Sequence, residues 1–270
     1  MARLPDRVIC VGRGRLGKTL AAALRSHSVE VEVVAGRGNA KVLVQGETVL
    51  LAVPDAAIST VAQRVVGIKG TVVHCSGSLG LAPLEPLRSS GFRVGVLHPL
   101  ISIPKVLVPE ELRGTSLVGT GDPAVLKLGA RWAKLLGMRW VRVEQLDPTM
   151  YHAGAALLAN GAVALAWQAE QLLLKAGVPD NQVRGMLGPL LASVAKNLTG
   201  VGARAALSGP VARGDANTVM RHLELLRRNK QTSALRAYEA MLLLQLEMTG
   251  RDVSSSVDDA LLQLLLEQST

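Results

Sequence analysis

The sequence predicts an α/β protein, a doubly wound parallel sheet followed by an all-helical C-terminal domain. Two observations carry this. From Arg7 to Val143, short runs of Val, Ile and Leu alternate with helical patterns, as a parallel sheet covered by helices requires. After about Asp147 the strand-like runs stop, and Ala/Leu-rich helical stretches continue to the end. The expected domains are 1–147 and 148–270, joined near Gln145–Thr149.

Strands are expected at Arg7–Val11, Val29–Ala35, Thr48–Val53, Thr71–Cys75, Val94–Leu97, Thr115–Gly119 and Trp140–Val143. Their near-continuous apolar content suits strands buried on both faces. Leu16, Leu20, Ala23 and Leu24 form one stripe of a first helix that packs on the sheet. "GDPAVLKLGARWAKLLG" (121–137) reads as a helix with Asp122 as N-cap, Pro123 at the first helical position and Gly137 closing it. In the second half, breaks fall at "AGVPDN", "LTGVGAR", "LSGPVARGD" and "MTGRDVS". The run "AGAALLANGAVALAW" (153–167) is shorter than the ~20 apolar residues of a membrane span, and it contains Asn160. It is expected to be a buried helix.

With 270 residues, 49% of them hydrophobic, and a mean hydropathy of +0.29, the chain has ample apolar surface for a core. Aromatics make up only 2%, so that core must be built from Leu, Val and Ala. Cys10 and Cys75 lie in strand-like runs and are expected to be packed, reduced thiols, although neighbouring strands would also permit a redox pair. The N-terminus lacks the pattern of a signal peptide, and a cytoplasmic location is expected. The net charge of +9 raises the possibility of nucleic acid. However, the Arg residues are scattered, and few aromatics are available to stack bases. The densest basic knot, "RRNK" (227–230), reads as a solvated face near a helix end. Neither a nucleic-acid nor a membrane partner is expected, and no metal-ligand set is read. The basic field still favours anionic ligands.

"VGRGRLGKT" (11–19) satisfies two phosphate-binding patterns at once. Gly12, Gly14 and Gly17 spell the dinucleotide fingerprint, while Gly12, Gly17, Lys18 and Thr19 spell a P-loop. A P-loop also needs a metal-holding acid after another strand. Asp55 is the one on offer, and Pro54 intervenes as a turn residue. The dinucleotide reading explains Gly14, which lets the backbone approach a pyrophosphate. It also predicts a ribose-recognising residue about 20 positions beyond the fingerprint, which is Arg37. An Arg there favours the 2′-phosphate of NADP over the free hydroxyl of NAD. Lys18 and Thr19 then become ordinary first-turn residues, and the first domain is a Rossmann-type sheet. Arg15, Leu16, Val53 and Pro54 complete the expected cofactor contacts. Only "GRGNAKVLVQGE" separates the second and third strands, which is short for a crossover carrying a full helix. The adenine side is therefore expected to be trimmed or open.

The motifs "VGRGRLG", "LLAVPDAAI", "VVHCSGS", "VLHPL", "YHAGAALLAN" and "LSGPVARGDANTVMRHL" occur in that order. In this the chain resembles Rossmann-like proteins with a C-terminal helical domain of unknown function, within the 6-phosphogluconate dehydrogenase-like superfamily. Wider relatives are pyrroline-5-carboxylate reductase, ketopantoate reductase and prephenate dehydrogenase. The resemblance implies a Rossmann domain, a helical domain that often dimerises, and a substrate cleft between the two.

His98, read as ending a strand before a turn set by Pro99, is the candidate acid/base group. A similarly placed His-Pro in prephenate dehydrogenase supports that role, although a glycine there is replaced here by "LIS". A His that merely ties down a loop is the alternative. Ser76 and Ser78 are candidates to orient a substrate carbonyl or to bond His98, with Gly77 permitting close approach. His74, within its strand, reads as a core histidine. His152, Ala156 and Asn160 stand at i, i+4 and i+8 on one helix face. His152 is placed among the substrate contacts, and Asn160 as a substrate-positioning group or a partner for a neighbouring helix. The catalytic lysine of hydroxyacid dehydrogenases is not evident in this helix. Asp215 reads as an N-cap, and "SGPVARGD" resembles the segment that holds a substrate carboxylate in pyrroline-5-carboxylate reductase. Arg213 and Asp215 are therefore candidate substrate contacts, or parts of an ordinary interhelical loop.

The expected function is NADP-dependent oxidoreduction of a small polar carbonyl, imine or hydroxy substrate, with a carboxylate among its expected features. A non-catalytic dinucleotide-binding regulator and a P-loop ATPase or phosphotransferase are the rivals. Apolar stretches such as "LRAYEAMLLLQLEMTG" and "VDDALLQLLLEQ" predict a homodimer through the helical half.

Overall fold

The structure, a computed structural model, describes residues 7–250; the expected helical stretch 257–268 lies outside them. Two compact units divide between Ala159 and Asn160.

In the first unit, β1 (Arg7–Val11) leads through the glycine loop into α1 (Arg15–Arg25), followed by β2 (Glu30–Val34), β3 (Val42–Gln45) and β4 (Thr48–Leu51). Next come α2 (Ile58–Ala62), β5 (Val65–Ile68), β6 (Thr71–His74), α3 (Glu85–Ser89), β7 (Arg93–Leu100), β8 (Ser116–Gly121), α4 (Pro123–Leu135) and β9 (Arg139–Arg142). All seven expected strands join one sheet in the order β2-β1-β4-β6-β7-β8-β9. Successive residues of β1 point to opposite faces. Val8 and Cys10 pack with Leu20, Leu24 and Trp132 of α1 and α4, while Ile9 and Val11 pack with Ile58, Val61 and Leu87 of α2 and α3.

Two features differ from expectation. The sheet is not wholly parallel, because β8 runs antiparallel to β7 and carries β9 with it. No crossover α-helix lies between Leu100 and Ser116, and without one a chain returns beside its predecessor in the opposite direction. The second feature is a separate two-stranded parallel sheet of β3 and β5. Val42 and Val44 face the core while Leu43 and Gln45 face out, so this small sheet covers the face where a full crossover helix does not fit. The short connection was legible, but the strand filling it was not.

Asp122 stands at the N-cap of α4 as expected, yet its carboxylate is used elsewhere. It accepts from the Val94 amide and from Arg88, clamping β7 to α3. Cys10 and Cys75 are buried free thiols, and burial pushes Cys10 up to about 11 and Cys75 further still.

α5 (Pro148–Lys175) begins in the first unit and ends in the second. The boundary thus falls inside this helix rather than before it. The second unit continues with α6 (Asp180–Ala206), α7 (Pro210–Arg213), α8 (Ala216–Arg228) and α9 (Thr232–Thr249). A break within α6 falls at Gly202, whose φ of 80° is left-handed, inside the expected "LTGVGAR". Val211, Val219, Leu223, Leu242 and Leu246 form the buried core of this unit. Arg227 is held by Glu239 at 3.2 Å, so the basic knot is not wholly a solvated face.

The expectation of a buried helix at 153–167 is overturned. No residue of α5 is buried, and Leu157 is 75% exposed. Apolar composition says that a surface seeks cover; it does not say that the same chain provides it. Among the described residues, no helix is long and apolar enough to cross a membrane.

Candidate active site

The glycine loop is shaped by crowding at two positions and by openness at the third. Gly12 has φ 130°, and a Cβ there would stand 2.1 Å from the Ala52 carbonyl oxygen. The β1 and β4 backbones meet at this point, with the Ala52 amide donating to the Val11 carbonyl. A Cβ on Gly17 would stand 2.2 Å from the Gly12 carbonyl oxygen. Gly14 is different: its φ is an ordinary −71°, and a Cβ there would meet nothing within 4 Å. The chain itself makes no steric demand for this glycine.

Gly14 opens onto a crevice of about 410 Å³. Arg15, Leu16, Val53, Pro54 and His98 line it with Gly14. The position follows from topology, since β2 and β4 lie on opposite sides of β1. Ligands of open α/β sheets bind at such reversals, outside the carboxyl ends of the strands. The first amides of α1 face this end and suit an anion. These features fit the pyrophosphate of a dinucleotide.

Lys18 is exposed, but Thr19 is more than a first-turn residue. It is fully buried, and its hydroxyl accepts from the Leu107 amide at 3.0 Å. Arg15 reaches the Pro104 carbonyl at 2.8 Å, so both residues tie segment 101–107 to α1. The hydroxyl that a P-loop gives to magnesium is therefore committed to the fold.

On the other side of β1, Arg37 lies exposed beyond β2 and borders a cavity of about 430 Å³ with Arg7, Lys41 and Arg64. Arg64 donates to the Gly36 and Ala40 carbonyls, both at 2.8 Å, bracing the loop that carries Arg37.

His98 lies past the end of β6, whose pairing with β7 stops at His74 and Val96. It does not end its own strand, which continues to Leu100. Pro99 lies within β7, which has only β8 beside it there, and its carbonyl accepts from the Ile101 amide at 3.0 Å in a tight turn that closes the strand. His98 Nδ1 and the Tyr151 hydroxyl lie 2.7 Å apart, with the rings edge-on. A Cβ on Gly77 would stand 2.9 Å from His98 Nε2 and 3.2 Å from His152 Nδ1, so this glycine makes room for both imidazoles. Burial, reinforced by His152 and opposed by Asp55, lowers His98 to about 4. Burial pushes Tyr151 up to about 12.

Ser76 and Ser78 bond a carboxylate rather than His98. Their hydroxyls donate to Asp55 Oδ2 at 2.8 and 2.5 Å, and Ser76 Oγ also accepts from the Ser78 and Leu79 amides. His74 is a core histidine, fully buried and held below its ordinary range by that burial. Its Nδ1 accepts from the Ser76 amide, so Nε2 carries the proton and donates to the Gly80 carbonyl.

His152 is exposed beside Gly77, whereas Asn160 is an exposed residue of the second unit. Asp215 caps α8, its carboxylate accepting from the Thr218 amide at 3.1 Å. That bond holds the carboxyl below the usual range. Arg213 ends α7 and is exposed. Sequence reasoning passed over three residues: Tyr151, which neighbours a chosen histidine; Asp55, weighed only as a metal ligand; and Arg64, which no motif marks.

Residues 116–243 match the family model described as a domain of unknown function, DUF2520. The matched region starts at β8, so it takes in the last strands of the sheet as well as the helices. Among curated proteins, none matches the chain. Solved structures of the same fold include protein TM1727 of Thermotoga maritima, 21% identical with a TM-score of 0.65 over 90% of this chain and 98% of that one. Another, from Bacteroides fragilis and described as an NADP oxidoreductase, is 19% identical with a TM-score of 0.70 over the same shares. An imine reductase of Streptomyces aurantiacus is 15% identical with a TM-score of 0.57, over 97% and 94%. The fold is thus a Rossmann-like sheet followed by a helical region.

Proposed function

We propose that the chain is a dinucleotide-dependent oxidoreductase that prefers NADP and acts on a small polar carbonyl, imine or hydroxy compound. One observation carries the reading: Gly14, sterically free in its own chain, opens at the strand-order reversal onto a crevice that His98 also lines. The names of the similar solved structures, an NADP oxidoreductase and an imine reductase among them, agree with it.

In this reading the α1 amides and the glycine loop hold the pyrophosphate, and Arg37 on its braced loop meets the 2′-phosphate. The bound nicotinamide supplies or receives the hydride. His98 is neutral at pH 7 and starts as a proton acceptor, which suits oxidation of a hydroxyl or amine. The reverse reaction draws its proton from the imidazolium and strengthens as pH falls. Tyr151 orients the ring, and the Asp55–Ser76–Ser78 cluster fixes the turn beneath it. Asn160, His152, Arg213 and Asp215 remain proposed substrate contacts, with the Asp215 carboxylate already serving its helix.

The test is a fluorescence titration with NADPH, NADH and ATP–magnesium. NADPH binds more tightly than NADH, and Arg37→Ala removes most of that difference. Binding of ATP–magnesium with neither reduced dinucleotide overturns the reading.

A second copy of the chain is the proposed cover for α5 and α6. Leu157, Val163 and Trp167 of α5 and Leu190 and Val201 of α6 are all exposed. Large exposed apolar surface marks interfaces. Light scattering at micromolar concentration gives twice the 28.4 kDa of one chain, and Trp167→Glu shifts the distribution towards monomer. A wild-type monomer contradicts this.

A further inference from the structure

The second unit contains a cavity of about 800 Å³ that the proposed chemistry does not use. Its walls are Leu172, Leu173 and Ala176 at the end of α5, with Leu225 and Leu226 of α8. Polar groups converge on it from three elements: Lys175, His222 and Tyr238. Among the described residues, no acidic side chain lines it. A large, mainly apolar hollow with a few placed donors is the usual form of a small-molecule site.

Two of these polar groups are each held by a neighbouring side chain. Lys175 Nζ donates to Gln231 Oε1 at 2.5 Å, and Gln231 Nε2 donates to the Asn229 carbonyl, so a bonded chain fixes the ammonium. His222 Nδ1 and the Tyr238 hydroxyl are 2.8 Å apart, with the rings edge-on. An anion at His222 Nε2 selects the tautomer in which Tyr238 donates to Nδ1 and Nε2 carries the proton. Lys175 and His222 then supply donors, one of them charged, beside an aliphatic wall.

We propose that this cavity binds a hydrophobic carboxylic acid, its carboxylate held by Lys175 and His222 and its hydrocarbon chain lying against Leu172, Leu173, Leu225 and Leu226. Charge and shape together select this ligand. An apolar wall alone accepts any oil, whereas two donors without an opposing acid reward a monoanion. The site lies wholly in the second unit and does not depend on the dinucleotide reading.

The experiment is isothermal titration of the full chain with decanoate, below its micellar range, against decanol and butyrate. Decanoate binds saturably with one site per chain, and decanol and butyrate each bind at least tenfold more weakly. Lys175→Met and His222→Gln each weaken decanoate about tenfold, the size expected for loss of a charge-assisted hydrogen bond. Ala176→Phe, at an exposed position on the wall, fills the hollow and abolishes binding. NADPH titration of all three variants stays at the wild-type value, which separates this site from the crevice. Equal affinity for decanoate and decanol, no effect of the two polar variants, or no saturable decanoate binding overturns the proposal. So does an Ala176→Phe protein that binds decanoate normally but changes its oligomeric state, since the hollow would then be an interface.

Discussion

Gly12→Ala unfolds at a markedly lower temperature than the wild type, whereas Gly14→Ala, two residues away, unfolds within a degree or two of it. The contrast follows from the two environments. At Gly12 an added methyl stands 2.1 Å from the Ala52 carbonyl oxygen, and φ of 130° lies outside the regions open to L-residues. Neither fault can relax cheaply, because the blocking atom is backbone at the β1–β4 junction and Ala52 bonds back to Val11. Backbone strain of about 1–3 kcal/mol and a packing clash of similar size add to several kcal/mol. That is a large part of the ~5–15 kcal/mol available to a typical domain, and it lowers Tm by roughly 10 °C. At Gly14 the methyl enters open space at an ordinary φ, and its cost appears only when NADPH is titrated. Thermal unfolding followed by circular dichroism reads the first effect, and fluorescence titration the second. Equal melting of the two variants would remove the distinction between a glycine required by the fold and one available to a ligand.

The same loop shows what a sequence can and cannot disclose. G-x-G-x-x-G marked the turn and the helix start, and the structure places both there. The P-loop pattern overlapped it because Lys18 and Thr19 directly follow the third glycine in the helix that both motifs open. What separates the two readings is the Leu107 amide on Thr19, a partner 88 positions distant in sequence. β1, β4 and β6 were legible as nearly unbroken apolar runs, whereas β2 alternates Glu with Val and β9 carries an Arg at each end. β3 and β5 are four residues each and half exposed, so their alternation is lost among turn residues. The reversal at β8 was hidden because the direction of a strand is set by its connection, not its composition.

The candidate chemistry was legible as residue types and not as partnerships. His98 reads as an acid/base candidate from its His-Pro motif, and the structure places it among the residues that line the crevice. Its partner, Tyr151, comes from a helix 53 positions on, so only the fold brings them together. Ser76 and Ser78 were read as orienting a substrate carbonyl or bonding His98. They turn instead to Asp55, which two short hydroxyl bonds make a far stronger attraction than a neutral imidazole. α5 shows the converse case. Its apolar content was plain, and burial was the natural inference, but the cover for Leu157 and Trp167 is not supplied by the residues described.

His98→Ala binds NADPH as the wild type does and loses about 10²–10⁴-fold in kcat once a substrate is in hand, the range for removal of a proton-transfer group. The sign of its pH dependence follows from the environment. Burial and the neighbouring His152 lower His98 from 6.5 to about 4, so the imidazole is already neutral well below pH 7. A proton acceptor of this kind is active above its pKa. In the oxidation direction, kcat/KM therefore falls only as pH drops towards 4 and is flat through neutrality. Tyr151→Phe supplies the control. It retains an imidazole but removes the hydroxyl 2.7 Å from Nδ1, leaving ring orientation and tautomer unfixed. Its kcat falls less than that of His98→Ala, and its acid limb moves because the hydrogen-bonded environment of the ring has changed. A merely structural histidine gives another pattern: melting temperature and activity fall together, and the pH profile of the surviving activity stays in place. Tight NADPH binding with unimpaired turnover in His98→Ala would move the proton transfer to another group in the crevice while leaving the dinucleotide site intact.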